Sequence, residues 1–208
     1  MLAGKNLPNV LTMSRIFAVL VFVVIASVAH TDAIADSRTV LILRFIAVVL
    51  ALLAGLTDLL DGYLARRYHW ISDFGALMDP LADKIFVTGT MLMAVEYRII
   101  PAWIAIAVLF REFMVTGLRT LAAKKQIVIA ADRWGKLKTA LQMTMLGIAG
   151  IAWALDGGTE YLRTAKWFGI RIWYVWLAFM IGIVLVTLLS GLGYFLRFRK
   201  LLFTRKEV

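Results

Sequence analysis

The sequence predicts an all-α integral membrane protein of six transmembrane helices, and three observations predict it. Hydrophobic residues make up 62% of the 208 and mean hydropathy is +0.85, against the 45–50% apolar content of ordinary soluble domains. The apolar residues gather into runs of about 20 or more, the length a bilayer requires. Lys and Arg are distributed unevenly among the connectors, as in chains inserted with a fixed orientation.

The six runs lie at about 10–30, 39–66, 74–96, 101–122, 134–155 and 168–196. Residues 1–9 form an interfacial lead-in, with the Pro8-Asn9 pair as a turn into the first span. This start is polar and the first apolar run lacks a small-residue cleavage site, so it is not read as a cleavable signal peptide. The connectors 31–38 and 156–166 carry Gly, Asp and Thr, and the connector 123–133 carries Lys124, Lys125, Asp132 and Arg133. The last two runs exceed what a bilayer needs, so they either tilt or project into the cytosol. Trp103, Trp153, Trp167, Trp173 and Trp176 fall near span ends and read as an interfacial aromatic belt. Ala51, Ala54, Gly55, Gly147 and Gly150 allow helices to approach closely. The whole chain reads as one membrane-embedded domain, with residues 197–208 as a basic cytoplasmic tail.

Orientation follows from the basic residues. Lys5, Arg15, Arg66, Arg67, Arg119, Lys124, Lys125, Arg133, Lys136, Lys138, Arg197, Arg199, Lys200, Arg205 and Lys206 fall on one side. Arg38, Arg98, Arg163, Lys166 and Arg171 fall on the other. The excess places both termini and the connector at 67–73 in the cytoplasm. A net charge of +10 in so apolar a chain points to anionic lipid and phosphorylated substrates rather than nucleic acid. Without cysteine, disulfides and thiolate metal sites are excluded.

Four acids stand out against this background. Asp58 and Asp61 are three apart, Asp79 and Asp83 four apart, and on helices each pair shares a face. An Asp in a membrane helix costs about 2.5–3.5 kcal/mol near the bilayer centre, and converging carboxylates repel unless cations neutralise them. Oxygen-only ligands favour a hard ion such as Mg²⁺ or Mn²⁺. Gly62 leaves room beside the helix, Ala65 keeps the next turn thin, Arg66 offers a guanidinium to phosphate, and Gly75 permits close helix approach. Ser72 and Asp73 read as helix N-caps, Ser72 also lying within reach of a ligand beneath the acids. Lys84 is an ion-pair partner or a ligand, His69 a connector residue, and His30 lies at the opposite end of the membrane.

A second polar group lies further along. Arg111 and Arg119, eight apart, share nearly one helical face, while Lys138, Thr139 and Gln142 form a polar strip on the next helix. Lys136 and Lys138 also suit plain positive-inside decoration. Arg111, well inside its span, needs a partner or a cavity, and Glu112 can pair with one of these cations. Arg119, Lys138 and Arg111 together would receive a doubly charged phosphate.

The string Asp58-x2-Asp61-Gly62-x2-Ala65-Arg66-x8-Gly75-x3-Asp79-x3-Asp83 resembles, without a departure, the signature of the CDP-alcohol phosphotransferases. The segments Asn6–Arg15, Arg111–Arg119 and Gly135–Met143 are similar to the bacterial branch of that family that makes phosphatidylglycerophosphate. The resemblance implies the family's fold, with six transmembrane helices in a homodimer of the bacterial inner membrane. It implies phosphatidyl transfer from CDP-diacylglycerol to sn-glycerol 3-phosphate with release of CMP. It also implies two divalent ions on Asp58, Asp61, Asp79 and Asp83, with Asp83 as the base. Gly62, Arg66 and Ser72 would hold the CDP part, helped by Asn9 and Thr12. Inositol phosphate, serine or phosphatidylglycerol would be alternative acceptors for the same chemistry. A divalent-cation carrier is a reading of another class, although transport sites usually sit near the midplane on broken helices.

Overall fold

A computed structural model describes residues 7–29, 36–68, 73–125, 133–156, 160–167 and 169–203, nearly all of them helical. The chain forms two compact units, one of residues 1–99 with 147–159 and the other of 100–146 with 160–208.

In the first unit, α1 (Leu7–Val28), α2 (Ser37–Tyr68) and α3 (Asp73–Glu96) pack together. Pro8 does not form a turn ahead of the first span, as its sequence context suggests. It sits in the first turn of α1, where a missing N–H costs nothing and a fixed φ favours the helix. Asp36 caps α2: the Arg38 and Thr39 N–H groups donate to its carboxylate at 3.2 and 3.0 Å, and the Thr39 hydroxyl also donates to it. Those bonds, that of the Thr39 hydroxyl foremost, hold the Asp36 carboxyl below its ordinary pKa. At 32 residues, α2 is about 48 Å long and outruns the ~30 Å hydrocarbon layer. Its apolar part ends at Thr57, one residue before Asp58. A connector of only four residues, 69–72, separates α2 from α3, so the two helices run antiparallel.

The end of α3 is stopped by backbone geometry. The Ile99 N–H donates to Ala94 O at 3.0 Å and the Arg98 N–H to Val95 O at 2.9 Å, a Schellman ending with Arg98 at φ 58° in the left-handed region. A side chain there is strained. Arg98→Gly should therefore raise unfolding free energy by about 0.5–1 kcal/mol in detergent, read from a thermal or denaturant midpoint. A lower midpoint would mean that the Arg98 side chain stabilises more than the strain costs.

The second unit holds α4 (Ala102–Lys124), a short α6 (Glu160–Thr164) and α7 (Ile172–Phe203). The helix α5 (Arg133–Asp156) contributes its start to this unit and its end, from Gly147, to the first. The last span begins four residues later than its apolar run. Residues 166–167 and 170–171 pair antiparallel as β1 and β2, turning through Gly169 at φ +80°, which a glycine adopts without strain. At its other end α7 stays helical through Phe203, into the stretch read as a tail.

By length and composition α1, α2 and α7 can each cross a membrane, over Asn9–Val28, Ser37–Thr57 and Ile172–Leu196. The helices α3, α4 and α5 have 24, 23 and 24 residues but carry more polar and charged side chains. Large apolar side chains face outward, among them Phe17 and Val24 on α1, Ile42 and Leu53 on α2, and Leu185 and Leu189 on α7. An outer surface of this kind suits lipid rather than water.

Two tryptophans depart from the belt. Trp153 and Trp176 are buried, at 2% and 6% exposure, whereas Trp103 is 51% exposed as a belt residue should be. Trp153 stacks on Tyr97 with centroids 4.6 Å apart, and the Arg44 guanidinium lies 6.0 Å from its ring. Arg44, inside the apolar span of α2, thus faces an aromatic surface that partly offsets its loss of hydration. Of the small residues, Gly55 abuts Phe86 and Gly150 abuts Val48, while a side chain at Gly147 would meet nothing within 4 Å.

Candidate active site

The first unit carries the acids at one end. A Cβ on Gly55 would lie 3.5 Å from the Phe86 ring, so α2 and α3 meet there. Moving one turn from that contact toward the connector brings α2 to position 58 and α3 to position 83. One turn further brings them to 61–62 and 79. The antiparallel register therefore sets all four aspartate positions at matching levels on two adjacent helices. The side chains of Asp58, Asp61, Arg66 and Asp79 lie outside the described structure, as does Ser72 entirely. Gly62 lies on α2 one residue after Asp61.

Asp83 is described in full. Its side chain is 41% exposed, and Lys84 Nζ meets Oδ2 at 3.2 Å, so Lys84 acts as an ion-pair partner. Its Oδ1 has no hydrogen-bond partner among the described residues. Pro80 lies within α3, between Asp79 and Asp83. Having no N–H, it leaves the carbonyl of Ala76 without its usual helical donor.

The helix α1 adds a polar face to the same unit. Gly89 on α3 packs against Val19, a Cβ there reaching Val19 Cγ1 at 3.2 Å. With α1 and α3 running the same way, Asn9 and Thr12 fall at the level of Asp79 and Asp83. Thr12 is fully buried and Asn9 partly so. One turn on, Arg15 is only 1% exposed, which its place among the cytoplasmic charges did not foretell. The Asn9-x2-Thr12-x2-Arg15 spacing, a three-residue repeat on one helix face, was the available signal.

The second unit holds the other polar group. On α4 the buried positions Ile104, Val108, Arg111, Glu112, Val115, Leu118 and Ala122 form one stripe, so Arg111 and Glu112 lie on the packed face rather than toward lipid. Glu112 takes the structural role: Lys138 Nζ bonds its Oε1, and Arg111 Nη1 stands 3.7 Å from the same oxygen. Lys138 is 4% exposed and Arg111 5%. Arg111 Nη2 donates to Ser190 Oγ at 2.8 Å, and Arg119 Nη2 donates to the Tyr194 hydroxyl at 3.1 Å. Both guanidinium carbons also face the Tyr194 ring, at 5.8 and 5.4 Å from its centroid. The structure thus gathers Arg111, Arg119 and Lys138 in one unit and adds Ser190 and Tyr194, which sequence reasoning passed over. Arg119, the exposed member, is the cation best placed to meet a ligand. Lys138 and Arg111 share the Glu112 carboxylate and Arg119 meets Tyr194, so these three cations and one carboxylate carry a net charge of two for an anion.

Comparison with known proteins identifies the family. The CDP-alcohol phosphatidyltransferase family matches residues 5–188. A CDP-diacylglycerol–glycerol-3-phosphate 3-phosphatidyltransferase of Rickettsia typhi is 33% identical over 191 residues, covering 92% of this chain and 96% of the relative. Proteins of the same name from Bacillus subtilis and Haemophilus influenzae are each 36% identical. The first covers 66% of this chain and 72% of the relative, the second 74% and 80%. With the signature complete and the match running over most of its length, the chain belongs to the CDP-alcohol phosphatidyltransferase family.

Proposed function

We infer that this protein transfers the phosphatidyl group of CDP-diacylglycerol to sn-glycerol 3-phosphate, giving phosphatidylglycerophosphate and CMP in phospholipid synthesis. The observation that carries the reading is the near full-length similarity to a relative bearing that activity in its name. The surplus of two positive charges around Arg111, Arg119 and Lys138 supports a phosphorylated acceptor over serine. The test is CMP release by the purified protein in detergent, dependent on glycerol 3-phosphate. Release with inositol phosphate or phosphatidylglycerol instead would reassign the acceptor, and a cation carrier would release no CMP.

Asp58, Asp61, Asp79 and Asp83 are assigned to two divalent ions, Mg²⁺ or Mn²⁺. The donor set fits: it is all oxygen, its four positions lie level on α2 and α3, and no described residue bonds Asp83 Oδ1. Divalent cations bound there supply charge neutralisation for the pyrophosphate and for departing CMP. Gly62, Arg66 and Ser72, with Asn9 and Thr12 from α1, are assigned to the CDP group. As the acceptor oxygen forms its bond to phosphorus, the bond from phosphorus to the CMP oxygen breaks, and Asp83 takes the hydroxyl proton.

Arg119, Arg111 and Lys138 are assigned to the acceptor phosphate. Arg119→Ala should raise the KM for glycerol 3-phosphate roughly 10- to 150-fold, the equivalent of about 1.5–3 kcal/mol for a charged hydrogen bond. CDP-diacylglycerol binding should change little. Loss of donor binding at an unchanged acceptor KM would move Arg119 to the nucleotide. Lys138 is a less clean probe, because its removal strands Glu112.

The chain is further assigned six membrane crossings as a single catalytic domain, a homodimeric state and a place in the bacterial inner membrane. Both termini and residues 67–73 would face the cytoplasm. Leu2→Cys, Trp70→Cys and Lys206→Cys supply unique thiols in a cysteine-free chain. All three should resist an impermeant thiol reagent in intact cells and react after lysis. Labelling of all three before lysis would invert the orientation.

A further inference from the structure

We propose that Tyr194, aided by Ser190, is a positioning residue that holds Arg119 and Arg111 in place to grip a dianionic phosphate monoester. The proposal rests on the reading that the acceptor phosphate binds these arginines. It makes the last helix, and not α4 and α5 alone, a determinant of acceptor affinity.

The argument begins with the pattern on α7. Thr187, Ser190, Gly191 and Tyr194 recur at i, i+3, i+4 and i+7 and so share one face, within a span whose mean hydropathy is 2.4. All three polar members are buried, at 0%, 6% and 5% exposure. Buried hydroxyls in a membrane helix are costly unless they bond, and here Ser190 and Tyr194 bond to the two arginines. These four residues straddle or lie beyond position 188, where the family match ends.

One tyrosine serves both arginines. Its ring faces each guanidinium within 6 Å, and its hydroxyl accepts from Arg119. Eight residues of α4 separate the two, about 12 Å along the helix axis, so Tyr194 fixes their heads toward a common region. Gly191 closes the arrangement: a Cβ there would lie 2.8 Å from Arg111 Cγ and 3.2 Å from Met114 Cε. The stem of Arg111 thus packs on the bare backbone of α7. The Tyr194 hydroxyl also lies beside the start of α5, 3.9 Å from where a Gly135 Cβ would stand.

The chemistry of these partners identifies the ligand class. Carboxylates would cancel the charge of the arginines; a hydroxyl and an aromatic face orient a guanidinium while leaving its charge intact. Glu112 offsets one cation, chiefly Lys138. A net charge of two remains, with Arg119 held by Tyr194 and Arg111 by Ser190 and Tyr194 beside its looser pairing with Glu112, and a phosphate monoester carries about −1.5 to −2 near pH 7. A neutral or singly charged acceptor would leave part of that charge unmet.

The test uses the full-length protein in detergent with CDP-diacylglycerol. Tyr194→Phe keeps the ring and removes only the hydroxyl. It should raise the KM for glycerol 3-phosphate about tenfold, the loss expected for a hydrogen bond to a charged group. The KM for CDP-diacylglycerol, kcat and the thermal midpoint should stay near wild type. In an Arg119→Ala background Tyr194→Phe should add little, because the group it positions is gone. A role confined to packing would shift the midpoint and both KM values together and would overturn the proposal. So would an unchanged acceptor KM in Tyr194→Phe while Arg119→Ala raises it. If Arg119→Ala itself leaves the acceptor KM unchanged, the assignment of the arginine pocket fails. If wild type releases no CMP with glycerol 3-phosphate, the functional reading fails before Tyr194 is judged.

Discussion

Asp83→Asn should lower turnover by about 10²–10⁴-fold, the usual range for removal of a general base, while divalent-cation and CDP-diacylglycerol binding largely persist. The side chain is 41% exposed near the middle of α3, and its partner among the described residues is Lys84, at Oδ2. Oδ1 is left for the proton of an incoming hydroxyl. Asparagine keeps the size and an oxygen ligand but cannot accept that proton. The part-buried ion pair with Lys84 is lost as well. Asp58→Asn should behave differently, because it takes charge from the middle of the cluster and so abolishes cation-dependent donor binding. Titration of Mg²⁺ or Mn²⁺ into both variants, following CDP-diacylglycerol binding and CMP release in parallel, separates the two roles. Near-normal turnover of Asp83→Asn at high cation concentration would leave Asp83 as a ligand alone and place the base elsewhere.

Glu112→Ala should cost about 3–5 kcal/mol of stability, as expected when one member of a buried ion pair is removed. That is a large share of the 5–15 kcal/mol typical of a whole domain. Lys138 and Arg111 are both at least nine-tenths buried, and Glu112 is the carboxylate that both approach. Removing it leaves two cations facing each other in a region with little water. Replacing the pair together, as Glu112→Leu with Lys138→Met, should recover part of the loss, since Lys138 is then not stranded while Arg111 keeps only its bond to Ser190 and the Tyr194 face. Denaturant midpoints in detergent measure both variants. A midpoint for Glu112→Ala equal to that of wild type would show that the carboxylate is dispensable to the fold and free for ligand chemistry.

The helices and the aspartate signature were legible in the sequence because both depend on spacing along the chain. Long apolar runs favour helices, three of them long and apolar enough to cross a membrane, and the three- and four-residue intervals of Asp58, Asp61, Asp79 and Asp83 survive any packing arrangement. Helix boundaries moved by a few residues where local chemistry intervened, as at Pro8 and at the Gly169 turn. The partnership of charges was legible only as a need. Arg111 and Glu112 required company; Lys138 was among the cations offered, but nothing along the chain singled it out or pointed to Ser190. The tertiary structure decided that Trp153 and Trp176 are buried and that Arg44 rests over an aromatic ring. It also decided that Tyr194 serves two arginines at once. The physical reason is that an apolar run shows the same hydrophobicity all round the helix, so the run does not reveal which face meets protein and which meets lipid. Ser, Thr, Gly and Tyr on α7 gave only a faint stripe, because such residues are tolerated singly in any membrane helix. Only the packing of α7 on α4 turned that stripe into a set of partners for charge.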